Sequence, residues 1–181
     1  MDQQIELDRF DQGYVHIYTG NGKGKTTAAF GLALRATGAG YRVFVGQFIK
    51  SERYSEIEVL ERLIPEVECR QFGRGCWLRG APSQEDIQLA QQAMEAVRQV
   101  MSEGTYRVII LDELVTALYF KLVQLDQVLE LLAIKPTNVE LVLTGRYAPD
   151  QLIEAADLVT EMREVKHYYQ QGVLARKGIE C

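Results

Sequence analysis

The chain has 181 residues, 47% of them hydrophobic, with twenty basic against twenty-five acidic side chains and a formal net charge of −5. That is enough apolar material for one sizeable core, which excludes a disordered tail. The negative balance argues against a general nucleic-acid or membrane-surface role, because like charge would oppose docking. The start, Met1 to Glu6, has no basic stretch leading into an apolar core, and no run approaches the roughly 18 apolar residues of a membrane span. A cytoplasmic protein without nucleic-acid or membrane partners is expected. Cys69, Cys76 and Cys181 lack CxxC spacing, so neither a disulfide framework nor a structural zinc site is expected.

In chain order, Tyr14 to Tyr18 reads as a strand, followed by a glycine-rich loop and a helix from Lys25 to Thr37 that Gly38 and Gly40 stop. Tyr41 to Phe48 is β-branched and aromatic enough for a second strand, and Val67 to Gln71 forms a short third. Tyr54 to Ile64 between them suits a helix ended by Pro65. Ser83 with Asp86 makes a capping-box variant, after which Ile87, Ala90, Met94, Val97 and Met101 follow helical spacing and predict a helix lying on the sheet. Val108 to Leu111 is a continuous apolar run, as a strand buried on both faces requires. Leu125 to Ile134 reads as helix, Val139 to Leu143 as another buried strand, and Pro149 to Ala156 as helix. Strands separated by helices predict a parallel sheet with right-handed crossovers.

The loop Tyr18-Thr19-Gly20-Asn21-Gly22-Lys23-Gly24-Lys25-Thr26-Thr27 lies between a predicted strand and a predicted helix. A phosphate-binding loop needs residues without Cβ there, so that backbone N–H groups can converge on oxygens. Lys25 adds a point charge, and the Thr26 hydroxyl suits a magnesium ion already bound to phosphate. Thr19 stands where a full Walker pattern begins with glycine; a glycine-rich turn with solvated lysines is the plainer alternative. Asp112 and Glu113 follow the buried run directly. At the carboxyl end of a parallel strand they lie on the edge where α/β proteins bind ligands, beside the loop if the two strands are neighbours. There they would hold magnesium, although an Asp-Glu pair also serves as an ordinary helix N-terminus. The expected fold is α/β, a three-layer P-loop NTPase-like (RecA-like) arrangement with a mostly parallel central sheet. Residues 1–12 read as an N-terminal extension and 13–181 as one domain.

Four motifs taken together carry a family resemblance: Gly20 through Gly31, Leu111-Asp112-Glu113-Leu114, Leu143-Thr144-Gly145-Arg146, and Val159 through His167 continuing to Gly178-Ile179-Glu180. In that order the chain resembles the P-loop family of ATP:corrinoid adenosyltransferases from about Gly13 to Glu180. The resemblance implies that a corrinoid reduced to Co(I) attacks the 5′ carbon of ATP, forming a cobalt–carbon bond and releasing triphosphate. It also implies a reversed ATP, with the γ-phosphate where P-loop enzymes usually hold the α-phosphate, together with an electron donor supplying Co(I) and a homodimer. No Ser, Cys or His nucleophile is then needed, because the corrinoid is the nucleophile.

By motif, Gly20, Asn21, Gly22, Lys23, Gly24, Lys25, Thr26, Thr27 and Arg146 are the ATP-binding candidates. Asn21 would reach sugar or phosphate, and Lys23 has the plainer reading of a solvated side chain. Lys25, Thr26 and Glu113 are the catalytic candidates. Thr26, Glu113 and, second, Asp112 are those for magnesium. His16 reads as a packed histidine, whereas His167 in the tail suits structure or corrinoid contact equally. On the corrinoid side, family members carry Gly-Phe-Thr-Trp before the long helix, whose aromatics crowd out the lower axial ligand so that Co(II) is more easily reduced. This chain reads Phe72-Gly73-Arg74-Gly75-Cys76-Trp77-Leu78-Arg79-Gly80 instead. Phe72 and Trp77 are candidates for the corrin face, and Arg74 and Arg79 for its side groups. A role of Cys76 as cobalt ligand has no support. A P-loop kinase or NTPase, and a non-catalytic ATP-binding regulator, are the alternative functions.

Overall fold

Strand β1 (Val15–Thr19) runs into the glycine-rich loop and α1 (Lys25–Gly38), in a computed structural model that describes residues 10–51, 54–75 and 81–180. There follow β2 (Val43–Ile49), α2 (Ser55–Leu63), β3 (Val67–Gly73), α3 (Gln84–Glu103) and β4 (Val108–Asp112). A short α4 (Leu114–Tyr119) and α5 (Leu125–Ala133) lead to β5 (Glu140–Thr144), α6 (Asp150–Glu154) and β6 (Leu158–Glu161). A 3-10 turn covers Tyr168–Gln171. The six strands form one sheet in the order β3-β2-β4-β5-β1-β6, and every pairing is parallel.

The strand period of two sorts the core into layers. Val43, Val45, Val108, Ile110 and Val142 face one way and pack with Ala29, Phe30 and Ala33 of α1 and with Ile57 and Leu60 of α2. Phe44, Phe48, Ile109, Leu111, Leu141 and Leu143 face the other and pack with Met94, Val97 and Met101 of α3, with Leu114 and Val115 of α4, and with Val128 and Leu131 of α5. The result is helix, sheet, helix, with the expected fold class.

Element ends follow local chemistry. At the start of α3 the Ser83 hydroxyl accepts from the Asp86 N–H, and the Asp86 carboxylate accepts from the Ser83 N–H, which completes the capping box. After α1, the Tyr41 N–H donates to the Ala36 carbonyl and Gly40 adopts a positive φ of 77°, a left-handed helix stop. Helix α4, strand β6 and the 3-10 turn were not read from sequence. Helix α4 is only six residues long, and β6 is exposed at all four positions, so it shows no alternation of buried and exposed side chains. Strand β5 lies between β1 and β4, so the loop strand and the Asp112 strand are not the neighbours on which the sequence reading had made their proximity conditional. The gap is bridged by side chains.

Candidate functional site: a phosphate loop over a buried carboxylate

The carboxyl ends of β1, β2, β4 and β5 open onto the same edge of the sheet, and the first turn of α1 rises from it. The Lys25, Thr26 and Thr27 N–H groups belong to that first turn and have no intrahelical acceptor, which makes them donors for an anion. The Lys25 ammonium lies along the loop, donating to the Gly20 carbonyl at 2.8 Å and the Gly22 carbonyl at 2.9 Å. Its pKa is lowered, first by burial and next by the positive charge of Arg146. Beyond β6, Met162 braces the loop: its N–H donates to the Thr19 carbonyl at 2.8 Å, and its carbonyl accepts from the Gly22 N–H at 2.6 Å. Among the loop amides, that of Gly22 is thereby engaged by the β6 end. Asn21 and Thr27 are exposed at the mouth.

Asp112 ends β4 fully buried. Its Oδ1 accepts from the Thr26 hydroxyl at 2.9 Å and the Thr144 hydroxyl at 2.7 Å, and its Oδ2 accepts from Gln47 Nε2 at 2.9 Å and Lys50 Nζ at 2.8 Å. Burial alone would push its pKa up, but the Lys50 charge and the hydrogen bonds from Lys50, Thr144 and Gln47 outweigh that and hold the carboxyl below its ordinary range. Reciprocally, burial disfavours the Lys50 ammonium, yet Asp112 and Glu113 raise its pKa on balance. One carboxylate therefore gathers the loop threonine and the ends of β2 and β5.

Glu113 adopts a positive φ of 62° as it passes from β4 to α4. Its N–H donates to the Thr144 hydroxyl at 3.0 Å, and its carboxylate accepts from the Thr116 hydroxyl. It is partly exposed where Asp112 is not. Gly145 has a φ of 143°, and a Cβ there would stand 2.4 Å from the Thr116 nitrogen, so only glycine lets β5 pass so close to α4. Arg146 follows, exposed, with its N–H on the Thr116 hydroxyl at 3.1 Å. Thr26, Asp112 and Glu113 present oxygen donors only, the set that magnesium favours. Among the described residues, no group of three or more His, Cys, Asp or Glu side chains is arranged to hold a metal ion.

Other candidates fall elsewhere. The Lys23 ammonium donates to Glu180 at 3.0 Å and to the Tyr168 hydroxyl at 3.3 Å, tying the loop to the chain's last residues. The Tyr168 hydroxyl and Arg176 also bond Glu180, and the Arg176 guanidinium lies 5.0 Å from the Tyr168 ring centroid. His167 Nδ1 accepts from the Tyr169 N–H at 3.0 Å, opening the 3-10 turn. It also helps line a cavity of about 200 Å³ with Gly22, Lys23, Arg163 and Lys166. His16 pairs with Glu140 at 2.5 Å near the start of β5, a packed histidine.

Of the residues expected to meet a corrinoid, Phe72 lines a cavity of about 290 Å³ between the ends of β2 and β3 and the start of α3, with Ile49, Leu89 and Leu122. Arg74 borders it, but its guanidinium is held by Glu85 at 2.5 Å, Asp86 at 3.0 Å and the Ser83 hydroxyl at 2.7 Å. Trp77, Arg79 and Cys76, as well as Cys181 and the extension up to residue 9, lie outside the described residues.

Sequence reasoning missed Gln47, Lys50, Thr144 and Met162. The signal for the first pair was present in Val43-Phe44-Val45-Gly46-Gln47-Phe48-Ile49-Lys50: an amide inside an apolar strand requires a buried partner. Thr144 belonged to a recognised motif but had no role of its own. Nothing in the residue type of Met162 marks it, since its backbone makes these contacts.

A family model described as ATP:corrinoid adenosyltransferase BtuR/CobO/CobP matches residues 11–181. The chain is similar to the corrinoid adenosyltransferase of Pseudomonas aeruginosa, 38% identical over 181 residues that cover 99% of this chain and 89% of the relative. It is also similar to the corrinoid adenosyltransferase of Escherichia coli, 32% identical over 182 aligned positions covering 99% and 91%. The corrinoid adenosyltransferase CobA of Salmonella typhimurium matches with the same identity and the same coverage of both chains.

Proposed function

The chain belongs to the ATP:corrinoid adenosyltransferase family and transfers the adenosyl group of ATP to the cobalt of a corrinoid, and from that premise we propose how its residues divide the work. The loop amides other than that of Gly22, which Met162 holds, together with Lys25, Thr26, Thr27 and Arg146 hold the triphosphate chain, with Gly20, Asn21, Lys23 and Gly24 shaping its approach. Thr26 and Glu113 hold magnesium, and Asp112 stands behind Thr26 as its hydrogen-bond acceptor. The observation that supports this most is the Thr26-to-Asp112 bond of 2.9 Å. It turns the threonine proton inward and, with Lys50 Nζ 3.3 Å from the same oxygen, leaves one hydroxyl lone pair for a cation at the loop mouth.

The chemistry asks little of the protein beyond placement and charge. A Co(I) corrinoid supplies an electron pair to C5′ of ATP, the Co–C5′ bond forms, and the C5′–O5′ bond breaks with its electrons leaving on triphosphate. Bound magnesium neutralises part of the phosphate charge. Lys25 and Arg146 oppose the charge that grows on the departing chain; the Lys25 pKa is lowered first by burial and next by the charge of Arg146. Phe72, Trp77 and Arg79 are the corrinoid-side residues of this reading, with His167 at the tail cavity. Arg74 serves it indirectly by fixing the start of α3. The working enzyme is a cytoplasmic homodimer served by an electron donor that delivers Co(I). Among the described residues, no helix is long and apolar enough to cross a membrane.

An anaerobic assay with MgATP and a chemically reduced corrinoid tests the reading. The expected products are a light-sensitive adenosylcorrinoid and an equal amount of triphosphate. ADP without a cobalt–carbon product would move the chain to the NTPase reading, and ATP binding without turnover to the regulator.

A further inference from the structure

Lys50 sits past the end of β2 in a backbone turn that its neighbours impose. Ile49 has a φ of 68°, a left-handed conformation that a β-branched side chain disfavours. The Lys50 N–H donates to the Phe48 carbonyl at 2.7 Å. On the adjacent strand, a Cβ at Gly73 would stand 1.8 Å from the Ile49 carbonyl oxygen, so glycine is needed there for the two chains to meet. The turn sends the lysine side chain back over the sheet edge instead of out to solvent. Its ammonium lies 2.8 Å from Asp112 Oδ2 and 3.3 Å from the Thr26 hydroxyl, with the side chain only 13% exposed. The turn thus delivers a cation to the phosphate loop as well as to Asp112, whose other hydrogen bonds come from the neutral Thr144, Gln47 and Thr26.

We propose that Lys50 is a third cationic side chain of the triphosphate site, held on Asp112 and Thr26 before ATP arrives and shared between Asp112 and the phosphate chain during adenosyl transfer. The inference rests on the function proposed above. As the C5′–O5′ bond breaks, one further negative charge collects on the departing triphosphate, and an ammonium shared with a neighbouring carboxylate meets it without reorganising water. Tyr54, whose ring centroid is 5.7 Å from the ammonium, borders the path outward. Lys50 also explains why Gln47 is buried in β2: the amide holds the other approach to Asp112 Oδ2, leaving the lysine one side from which to approach.

The test compares wild type with Lys50→Met and Lys50→Arg, reading calorimetric binding of inorganic triphosphate with magnesium and single-turnover adenosylation of pre-reduced Co(I) corrinoid. Lys50→Met should weaken triphosphate binding at least about tenfold and slow the single turnover about a hundredfold, and Lys50→Arg should restore most of the binding. Should Lys50→Met fail to fold, Lys50→Gln carries the same expectation, since its amide can still donate to Asp112. Triphosphate affinity within about twofold of wild type in the folded uncharged variant would overturn the inference and leave Lys50 as a structural counter-ion. If Lys25→Ala loses triphosphate binding while Lys50→Met keeps it, the inference alone fails; if wild type binds no triphosphate, the proposed function fails with it.

Discussion

Two lysines of the site region are each tied to a carboxylate, and the two ties differ in kind. Lys50 meets Asp112 inside the protein, where the acid is fully buried and its other bonds come from Thr26, Thr144 and Gln47. Lys23 meets Glu180 nearer the surface, with the lysine side chain 40% and the glutamate side chain 15% exposed. In the interior, water cannot replace a lost partner, so each group depends on the others. At the surface, solvent and salt stand in for either partner. The buried cluster therefore fixes where the phosphate loop sits, whereas the tail cluster tethers the chain end without setting the geometry of the loop.

The widest separation between the two should appear on deleting their acids. Asp112→Asn leaves Lys50 buried without its counter-charge, and a loss of about 3–5 kcal/mol in a denaturant titration is expected, together with loss of adenosyl transfer. Glu180→Gln should shift the melting temperature only slightly, and that shift should vanish in about 0.5 M salt. A Glu180→Gln penalty equal to that of Asp112→Asn would erase the distinction.

Gly145→Ala probes the support of the buried cluster from the β5 side. The new Cβ meets the Thr116 backbone and the residue must keep a positive φ, so about 1–3 kcal/mol of stability should go. Magnesium-dependent ATP affinity should fall in parallel, because Thr144 and Arg146 flank the same turn. Arg146→Ala, exposed and structurally idle by comparison, should leave the melting temperature unchanged and raise the KM for ATP about tenfold.

A third carboxylate away from the site gives the smallest expected effect and a pH signature. Burial raises the Glu140 pKa, but the His16 hydrogen bond and the Tyr14 N–H together bring it below the usual 4.5. A carboxyl whose folded pKa is depressed contributes stability above its unfolded value and loses it as pH falls through the folded one. Glu140→Gln should therefore cost about 1 kcal/mol at neutral pH, and the difference from wild type should close as the pH drops below about 4.5. A penalty that persists unchanged at acid pH would show that packing, not charge, accounts for it.

What the sequence made legible follows the same division between local and assembled features. Strands Val108–Asp112 and Glu140–Thr144 were readable because burial on both faces demands an unbroken apolar run. The long helix was readable because Ser83 and Asp86 announce it and Met94, Val97 and Met101 repeat on one face. The phosphate loop was readable because its glycine spacing has a local cause. Strand β6 was not, since an exposed edge strand needs no hydrophobic alternation and is defined by pairing with β1. Lys50 was overlooked for a related reason: a lysine after a strand looks solvated, and only the assembled sheet brings it to Asp112. Between the two acids of Asp112-Glu113, adjacency in sequence hid a difference in burial that determines which one hydrogen-bonds Thr26.

The most direct test of the central claim, that the loop and its cations serve carbon–oxygen cleavage at C5′, uses ATP carrying an ¹⁸O label in the oxygen bridging C5′ and the α-phosphorus. With pre-reduced Co(I) corrinoid, the account predicts that the label leaves entirely in the triphosphate, with none on the adenosyl group. Label retained on adenosine or ADP would mean that a phosphorus–oxygen bond had broken instead, and the alkyl-transfer account of this site would be contradicted.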